Sequence, residues 1–112
     1  MITKEVQNKL TPEDALEMLK EGNQRFVKLM RNSHNFDEEI KASCNGQFPL
    51  AVTLSCIDSR TSSELIFDLG IGDVFSVRVA GNVVNEDVLG SIEYACKVAG
   101  SKVVAVIGHT KC

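Results

Sequence analysis

Apolar positions follow a helical period in the first third of the chain and form short continuous runs after Pro49. Thr11 is a candidate N-cap, and Pro12 suits the first position of a helix. The apolar stripe that follows predicts one long helix or two short ones over roughly residues 12–31. Residues 32–47 are polar and lack strong periodicity, which predicts a loop with at most one helical turn.

From residue 50 onward the pattern alternates between strands and helices. Short apolar runs predict strands at Leu50–Ser55, Val74–Val79 and Lys102–Ile107, and amphipathic stretches predict helices at Ser62–Leu69 and Asn85–Val98. This β-α-β-α-β order implies parallel strands joined by right-handed crossovers. We therefore expect an α/β fold in a single domain over residues 1–112. It would have an amino-terminal helical arm and loop (1–47) and a parallel βαβαβ core flanked by helices (48–112).

The third predicted strand is continuously apolar from Val103 to Ile107, as expected when helices cover both faces of a parallel sheet. The chain ends five residues after this run, before a further helix could follow. This favours a domain that is incomplete at its carboxyl end. In the alternative interpretation, a partner subunit or the amino-terminal helix covers that face.

Composition limits the class of protein. A hydrophobic fraction of 44% and a charged fraction of 24% are typical of a soluble globular chain, which excludes disorder for most of it. The net charge of −3 gives no electrostatic reason to bind nucleic acid or an anionic membrane. No signal peptide or membrane-spanning run is visible, so we expect a cytoplasmic protein with reduced thiols. Its 4 cysteines then indicate metal binding, catalysis or core packing.

Two polar clusters directly follow predicted strands: Ser55–Arg60 after the first and Gly108–Cys112 after the third. In open α/β sheets, ligands bind beyond the carboxyl ends of the strands. The first and third strands can be neighbours, and Cys56 would then lie near His109 and Cys112. Zinc favours tetrahedral sulfur and nitrogen ligands, and catalytic sites use three protein ligands with one exchangeable position.

Each motif alone is weak evidence for a metal. The first cluster could equally be a turn in which Asp58 caps a helix and Cys56 is a small core residue. Both motifs at the correct strand ends of one βαβαβ unit are much stronger evidence. Of the other cysteines, Cys96 lies on an apolar helix face and is expected in the core. Cys44 lies in a polar loop and has no predicted role.

The ordered motifs resemble those of the β-class carbonic anhydrases. The first cluster resembles the signature that holds the first zinc cysteine and an Asp–Arg dyad, and the second resembles the partner motif with the histidine and second cysteine. Three internal blocks match in the same order: Gly72–Phe75, Arg78–Asn82 and Ser91–Ala95. The similarity runs from about Ala15 to Cys112. Family members continue past that cysteine, so roughly half of a typical member is absent.

This resemblance implies a lyase that hydrates carbon dioxide reversibly to bicarbonate and a proton, by attack of zinc-bound hydroxide. One Zn²⁺ per chain would be held by Cys56, His109 and Cys112. Asp58 would accept a hydrogen bond from the nucleophile, or swing onto the metal and close the site. Arg60 would hold that carboxylate bidentately away from the metal.

The resemblance also suggests a substrate pocket and an assembly. Gln47 lies where the family places a glutamine that contributes across a dimer interface, and Phe75 resembles a pocket-lining aromatic. Ala80 and Tyr94 are further candidates for the walls of a pocket for carbon dioxide. The expected partners are the small-molecule substrate and further copies of the chain, in a homodimer or higher homo-oligomer. No nucleic acid or membrane partner is expected.

Three alternatives stay open at the level of the sequence. Hydrolysis of carbonyl sulfide or carbon disulfide would use the same ligands. A structural zinc module would have Asp58 permanently in the fourth position. A fragment of this length could also be catalytically inactive.

Overall fold

A computed structural model describes residues 1–112. Three helices come first: α1 (Lys4–Lys9), α2 (Pro12–Val27) and α3 (Phe36–Ser43). The core then follows with β1 (Ala51–Ser55), α4 (Ser63–Ile66), β2 (Val74–Arg78), α5 (Glu86–Lys97) and β3 (Val103–Val106). Two 3₁₀ turns, Ser59–Thr61 and Ala80–Asn82, follow the first and second strands.

The three strands form one parallel sheet in the order β2-β1-β3. Ser55 pairs with Arg78, and Leu54 pairs with Val106, so the carboxyl ends of all three strands meet at one edge. This arrangement confirms the predicted α/β class and the adjacency of the first and third strands. The two clusters that follow these strands are therefore neighbours in space.

Side-chain caps determine where the helices begin. The Thr11 hydroxyl accepts from the Asp14 backbone N–H at 3.1 Å, and the Asp14 carboxylate accepts from the Thr11 N–H at 3.0 Å. This reciprocal capping box begins α2 at the predicted place. Asn85 caps α5 in a similar way, accepting from the Val88 N–H at 2.9 Å.

The helical content of the amino-terminal part exceeds the prediction. Helix α1, capped by Thr3, was not predicted, because six residues are too few to display a clear apolar stripe. Helix α3 has two turns where at most one was expected, and Asn35 caps it by accepting from the Glu38 N–H at 3.2 Å. Helix α2 ends four residues earlier than predicted, because Leu29 adopts a left-handed conformation with φ 58°.

The sheet lies between two helical layers. Helix α2 buries Ala15 and Leu19 in a cluster that includes Ala51 of β1. Side chains alternate along a strand, so Val52 points to the other face, where it lines a groove together with α5. Strand β1 is buried along its whole length, as expected for the central strand of a covered sheet.

Strand β3 is covered on one face and partly exposed on the other. Val103, Ala105 and Ile107 pack against the core, and the helical arm covers their face. On the other face, Val104 is 42% exposed and Val106 is 66% exposed. The continuous apolar run predicted cover for both faces, and within this chain the helical arm covers one of them. No helix of the chain combines the length and apolar character needed to cross a lipid bilayer.

Candidate metal centre

The three predicted ligands converge at the carboxyl edge of the sheet. Cys56 follows β1, and His109 and Cys112 lie on the segment after β3. Their ligand atoms all lie within 4.8 Å of one another, and the two sulfur atoms are 3.9 Å apart. The three side chains line a cavity of about 180 Å³ together with Gly81, Asn82 and Gly108.

The imidazole of His109 is oriented so that one ring nitrogen is available to a metal. Its Nδ1 lies 3.0 Å from the Thr110 carbonyl oxygen, and its Nε2 is buried with no hydrogen-bond partner. A carbonyl only accepts, so Nδ1 carries the proton, and in the neutral ring Nε2 presents its lone pair. A buried, unpartnered nitrogen beside two thiols forms a donor set that fits zinc, and a backbone carbonyl on the other nitrogen is the usual orienting partner.

The surroundings of the two thiols separate their acidities. The neighbouring His109 imidazole, the backbone of Asp58 and the Gly81 N–H, which donates to the Cys56 sulfur at 3.4 Å, lower the pKa of Cys56 to about 6. The same contact with Cys56 raises the pKa of His109. The proximity of the Cys56 thiolate also raises the pKa of Cys112. One sulfur is therefore already a strong metal ligand near neutral pH.

Asp58 and Arg60 form a bidentate ion pair beside the ligands. Arg60 donates from Nε to Oδ1 at 2.9 Å and from Nη2 to Oδ2 at 2.7 Å, and its backbone N–H also donates to Oδ1 at 2.9 Å. Asp58 thus caps the 3₁₀ turn and holds the arginine at the same time. Arg60 keeps the pKa of the Asp58 carboxyl well below its usual range. Arg60 Nη2 also donates to the Lys111 carbonyl at 3.2 Å, which connects the two clusters.

Two further residues fix the loop that carries Cys56 and Asp58. Arg78, at the end of β2, donates to the carbonyl oxygens of Cys56 at 3.0 Å and Asp58 at 2.5 Å. The Thr61 hydroxyl, which is buried, lies 2.8 Å and 2.9 Å from the same two oxygens. Sequence reasoning did not assign either residue to the site. The available signal was the position of Arg78 at the carboxyl end of a strand in the same sheet.

The segment after β2 completes the cavity. Gly81 has φ 72°, a left-handed conformation that glycine adopts without strain, and its N–H reaches the Cys56 sulfur. The amide of Asn82 donates to the Ile107 carbonyl at 2.8 Å, so this turn is tied to the end of β3. Besides forming the turn, Gly81 contacts the sulfur of Cys56, and Asn82 contacts the end of β3.

The four predicted pocket residues do not gather at this cavity. Gln47 is exposed just before β1, and Ala80 is an exposed neighbour of the cavity-lining Gly81. Phe75 and Tyr94 line a separate groove of about 960 Å³ between β2 and α5. Arg78 lines this groove as well, while its guanidinium reaches the ligand loop.

Comparison with known proteins relates the chain to one family. The profile of the carbonic anhydrase family matches residues 51–112. The chain is 46% identical over 103 residues to carbonic anhydrase 2 of Mycobacterium tuberculosis, an alignment that covers 90% of this chain and 49% of that protein. The chain therefore spans about half the length of the curated relatives it matches.

Solved structures give the same relationship. A β-carbonic anhydrase of the fungal pathogen Aspergillus fumigatus superposes with a TM-score of 0.61 at 30% identity, over 89% of this chain and 47% of that one. One of two tetrameric β-carbonic anhydrases of Sordaria macrospora superposes with a TM-score of 0.62 at 30% identity, over 65% of this chain and 39% of that one.

Proposed function

The chain belongs to the β-class carbonic anhydrase family, and from this premise we propose that it hydrates carbon dioxide reversibly to bicarbonate and a proton. The observation that carries the proposal is the convergence of Cys56, His109 and Cys112 within 4.8 Å, with the Nε2 atom of the histidine buried and unpartnered. These three residues would hold one Zn²⁺ per chain. Thiol ligands persist in a reducing compartment, so the proposal places the reaction in the cytoplasm.

A zinc ion held there would supply the nucleophile by lowering the pKa of water toward neutrality. The residues of the chain would prepare the site for this chemistry. The Thr110 carbonyl fixes the ring of His109 through its Nδ1 proton. Arg78 and Thr61 hold the backbone on either side of Ile57, so Cys56 is presented from a restrained loop.

Asp58 would act as a hydrogen-bond acceptor and not as an acid. Arg60 holds the pKa of its carboxyl well below the usual range, so the group stays ionised at any pH at which the enzyme would work. An ionised carboxylate can only accept, and it would therefore orient the attacking oxygen toward carbon dioxide. Arg60 would keep the carboxylate in place by engaging both of its oxygens.

A structural zinc site closed by Asp58 is less well supported. Closure would require the carboxylate to leave two side-chain hydrogen bonds of 2.9 Å and 2.7 Å and the backbone N–H that it caps. Charge-assisted bidentate pairs of this kind are the strong class of hydrogen bonds. The open arrangement, with the fourth position free for substrate chemistry, follows more directly from these contacts.

The proposed substrate, carbon dioxide, is small and apolar, so its pocket requires little more than a lining that excludes water. Ala80 adjoins the cavity, whereas Phe75 and Tyr94 would have to act from the neighbouring groove. Gln47 is exposed and would be available to a second copy of the chain. We therefore place these four residues in a pocket that a homodimer or higher homo-oligomer completes, and the tetrameric Sordaria relatives favour such an assembly.

Stopped-flow measurement of carbon dioxide hydration, combined with zinc quantification on the same sample, tests the proposal. We expect one zinc per chain and measurable turnover, and both should be lost in Cys112→Ser. The matched control is Cys96→Ser, which removes a thiol on α5 outside the cluster and should retain both. Zinc without turnover would favour a structural site, and neither zinc nor turnover would indicate an inactive fragment. Turnover of carbonyl sulfide or carbon disulfide alone would reassign the substrate.

A further inference from the structure

The two cysteines of the cluster are also a pair of thiols in contact. Their sulfur atoms lie 3.9 Å apart, and neither is bonded to another cysteine. The other two cysteines have different surroundings. Cys44 is exposed at the end of α3, 3.4 Å from the Ile40 carbonyl, and Cys96 is half-buried on α5.

The pair differs in accessibility. Cys56 is only 6% exposed. Two hydrogen bonds restrain it: the Gly81 N–H donates to its sulfur, and Arg78 donates to its carbonyl oxygen. Cys112 is exposed to solvent. An oxidant would therefore meet Cys112 first, and the buried sulfur of Cys56 would lie behind it.

A disulfide requires a modest movement. The S–S bond is about 2.05 Å long, so the two sulfur atoms would have to approach by roughly 1.9 Å. Rotation of the exposed Cys112 side chain and a small shift of its backbone would supply most of this movement, because Cys56 is held in place at the end of β1.

We propose that Cys56 and Cys112 form a redox-active pair that closes to an intramolecular disulfide when the cluster holds no metal. The exposed Cys112 thiol loses its proton and attacks one sulfur of a low-molecular-weight disulfide, which releases the first thiol and leaves a mixed disulfide on Cys112. The Cys56 thiolate then attacks the Cys112 sulfur, forming the protein disulfide and releasing the second thiol. Two protein thiols are oxidised, and one small disulfide is reduced to two thiols.

Metal binding and oxidation are mutually exclusive in this scheme, because two of the three metal ligands are the sulfur atoms that the disulfide joins. Oxidation would thus withdraw the site from metal binding, and a dithiol reductant would restore it. The inference goes beyond the hydratase proposal, since the disulfide requires only the two sulfur atoms and holds whether or not the chain turns over carbon dioxide.

The test treats the full chain, zinc-free and zinc-loaded, with glutathione disulfide and maps the products by intact mass and by peptide mass after alkylation. In the zinc-free chain we expect a loss of two hydrogen atoms and a crosslink between the peptides containing Cys56 and Cys112. With free zinc at about 100 times its dissociation constant, crosslinking should be about a hundredfold slower, because only the unloaded fraction reacts. A dithiol should restore full zinc binding, read with a chromogenic chelator.

Variants separate this reaction from random oxidation. A chain carrying both Cys44→Ser and Cys96→Ser should form the same crosslink at the same rate. In Cys56→Ser, the reaction should stop at the mixed disulfide on Cys112. Crosslinks to Cys44 or Cys96, covalent dimers, a mixed disulfide that persists in the unaltered chain, or an equal rate in the presence of zinc would each overturn the proposal. None of these outcomes depends on carbon dioxide turnover, so failure here is distinguishable from failure of the proposed function.

Discussion

Arg60 engages Asp58 with its side chain and its backbone at once: Nε donates to Oδ1 at 2.9 Å, Nη2 donates to Oδ2 at 2.7 Å, and the backbone N–H adds a third bond at 2.9 Å. Two residues separated by one position thus form a closed unit that holds a carboxylate in a fixed orientation. The same guanidinium reaches the Lys111 carbonyl at 3.2 Å, next to a predicted metal ligand. The unit therefore couples the orientation of Asp58 to the position of the second cluster.

Replacing this arginine should impair turnover without removing zinc. In Arg60→Gln we expect kcat/KM for carbon dioxide hydration to fall by about 10- to 100-fold, because the carboxylate is no longer fixed. Arg60→Lys keeps the charge but loses the planar fork, so its loss should be intermediate. Arg31→Gln removes an exposed arginine that stacks on Phe26 and serves as the matched control. Full activity in Arg60→Gln, with one zinc per chain, would show that the pair does not position the nucleophile.

Arg78 should support the affinity for zinc as well as the stability of the fold. Arg78→Met removes the donors to the Cys56 and Asp58 carbonyls. Residues that orient metal ligands indirectly typically change metal affinity by about 10- to 100-fold, so the zinc dissociation constant should rise by that factor. Competition with a chromogenic chelator measures it, and Arg78→Lys should recover part of the loss. Reduced stability with unchanged zinc affinity in Arg78→Met would indicate a purely structural role.

The carboxylate of Asp68 should make the stability of the fold sensitive to acid. Its side chain is 1% exposed and is contacted by Arg25 Nε at 2.6 Å, by His34 Nε2 at 2.8 Å and by the Asn32 N–H at 3.0 Å. Burial raises the pKa of Asp68, but these partners outweigh it and hold the value at about 2, below the usual 3.8. The carboxylate therefore stabilises the fold fully above pH 4 and loses this contribution as the pH falls toward 2.

Urea denaturation as a function of pH measures this contribution. The difference in unfolding free energy between the unaltered chain and Asp68→Asn should shrink by about 2 kcal/mol between pH 5 and pH 2, from the displacement of one pKa. Asp87→Asn, in the exposed first turn of α5, provides the comparison and should show little change over that range. A difference for Asp68→Asn that stays constant with pH would contradict the assignment.

Gln7 should stabilise the junction between the helical arm and the core. Its buried amide Nε2 donates to the Pro49 and Ala99 carbonyls, each at 2.8 Å. Gln7→Ala leaves both carbonyls without this donor and should lower the free energy of unfolding by about 1–3 kcal/mol. Gln24→Ala, at an exposed position of α2, should change it by less than about 0.5 kcal/mol. Equal effects of the two substitutions in urea denaturation would show that the junction does not depend on this amide.

The strand and helix order of the core was predictable because its signals are local. Apolar runs, the Thr11 cap and the pattern of Glu86–Lys97 each depend on residues within one turn or strand. The parallel order then followed from topology, and it placed Cys56, His109 and Cys112 at one sheet edge. The short helices α1 and α3 escaped prediction because few residues define their faces.

Contacts between distant segments could be identified only in the folded chain. His34 carried no sequence signal, yet it lies 2.8 Å from Asp68, because the loop after α2 folds back onto the end of α4. Arg78 reaches the ligand loop through the strand register that pairs it with Ser55.

The exposure of Val104 and Val106 likewise depends on tertiary packing, which no local pattern encodes. The order of the elements, the parallel sheet and the edge where the predicted ligands meet all follow from the amino-acid pattern, because periodicity and strand ends are properties of neighbouring residues. The hydrogen-bond partners of a side chain, its burial and its interactions with nearby charges depend on strand register and packing. Register and packing exist only once the chain has folded.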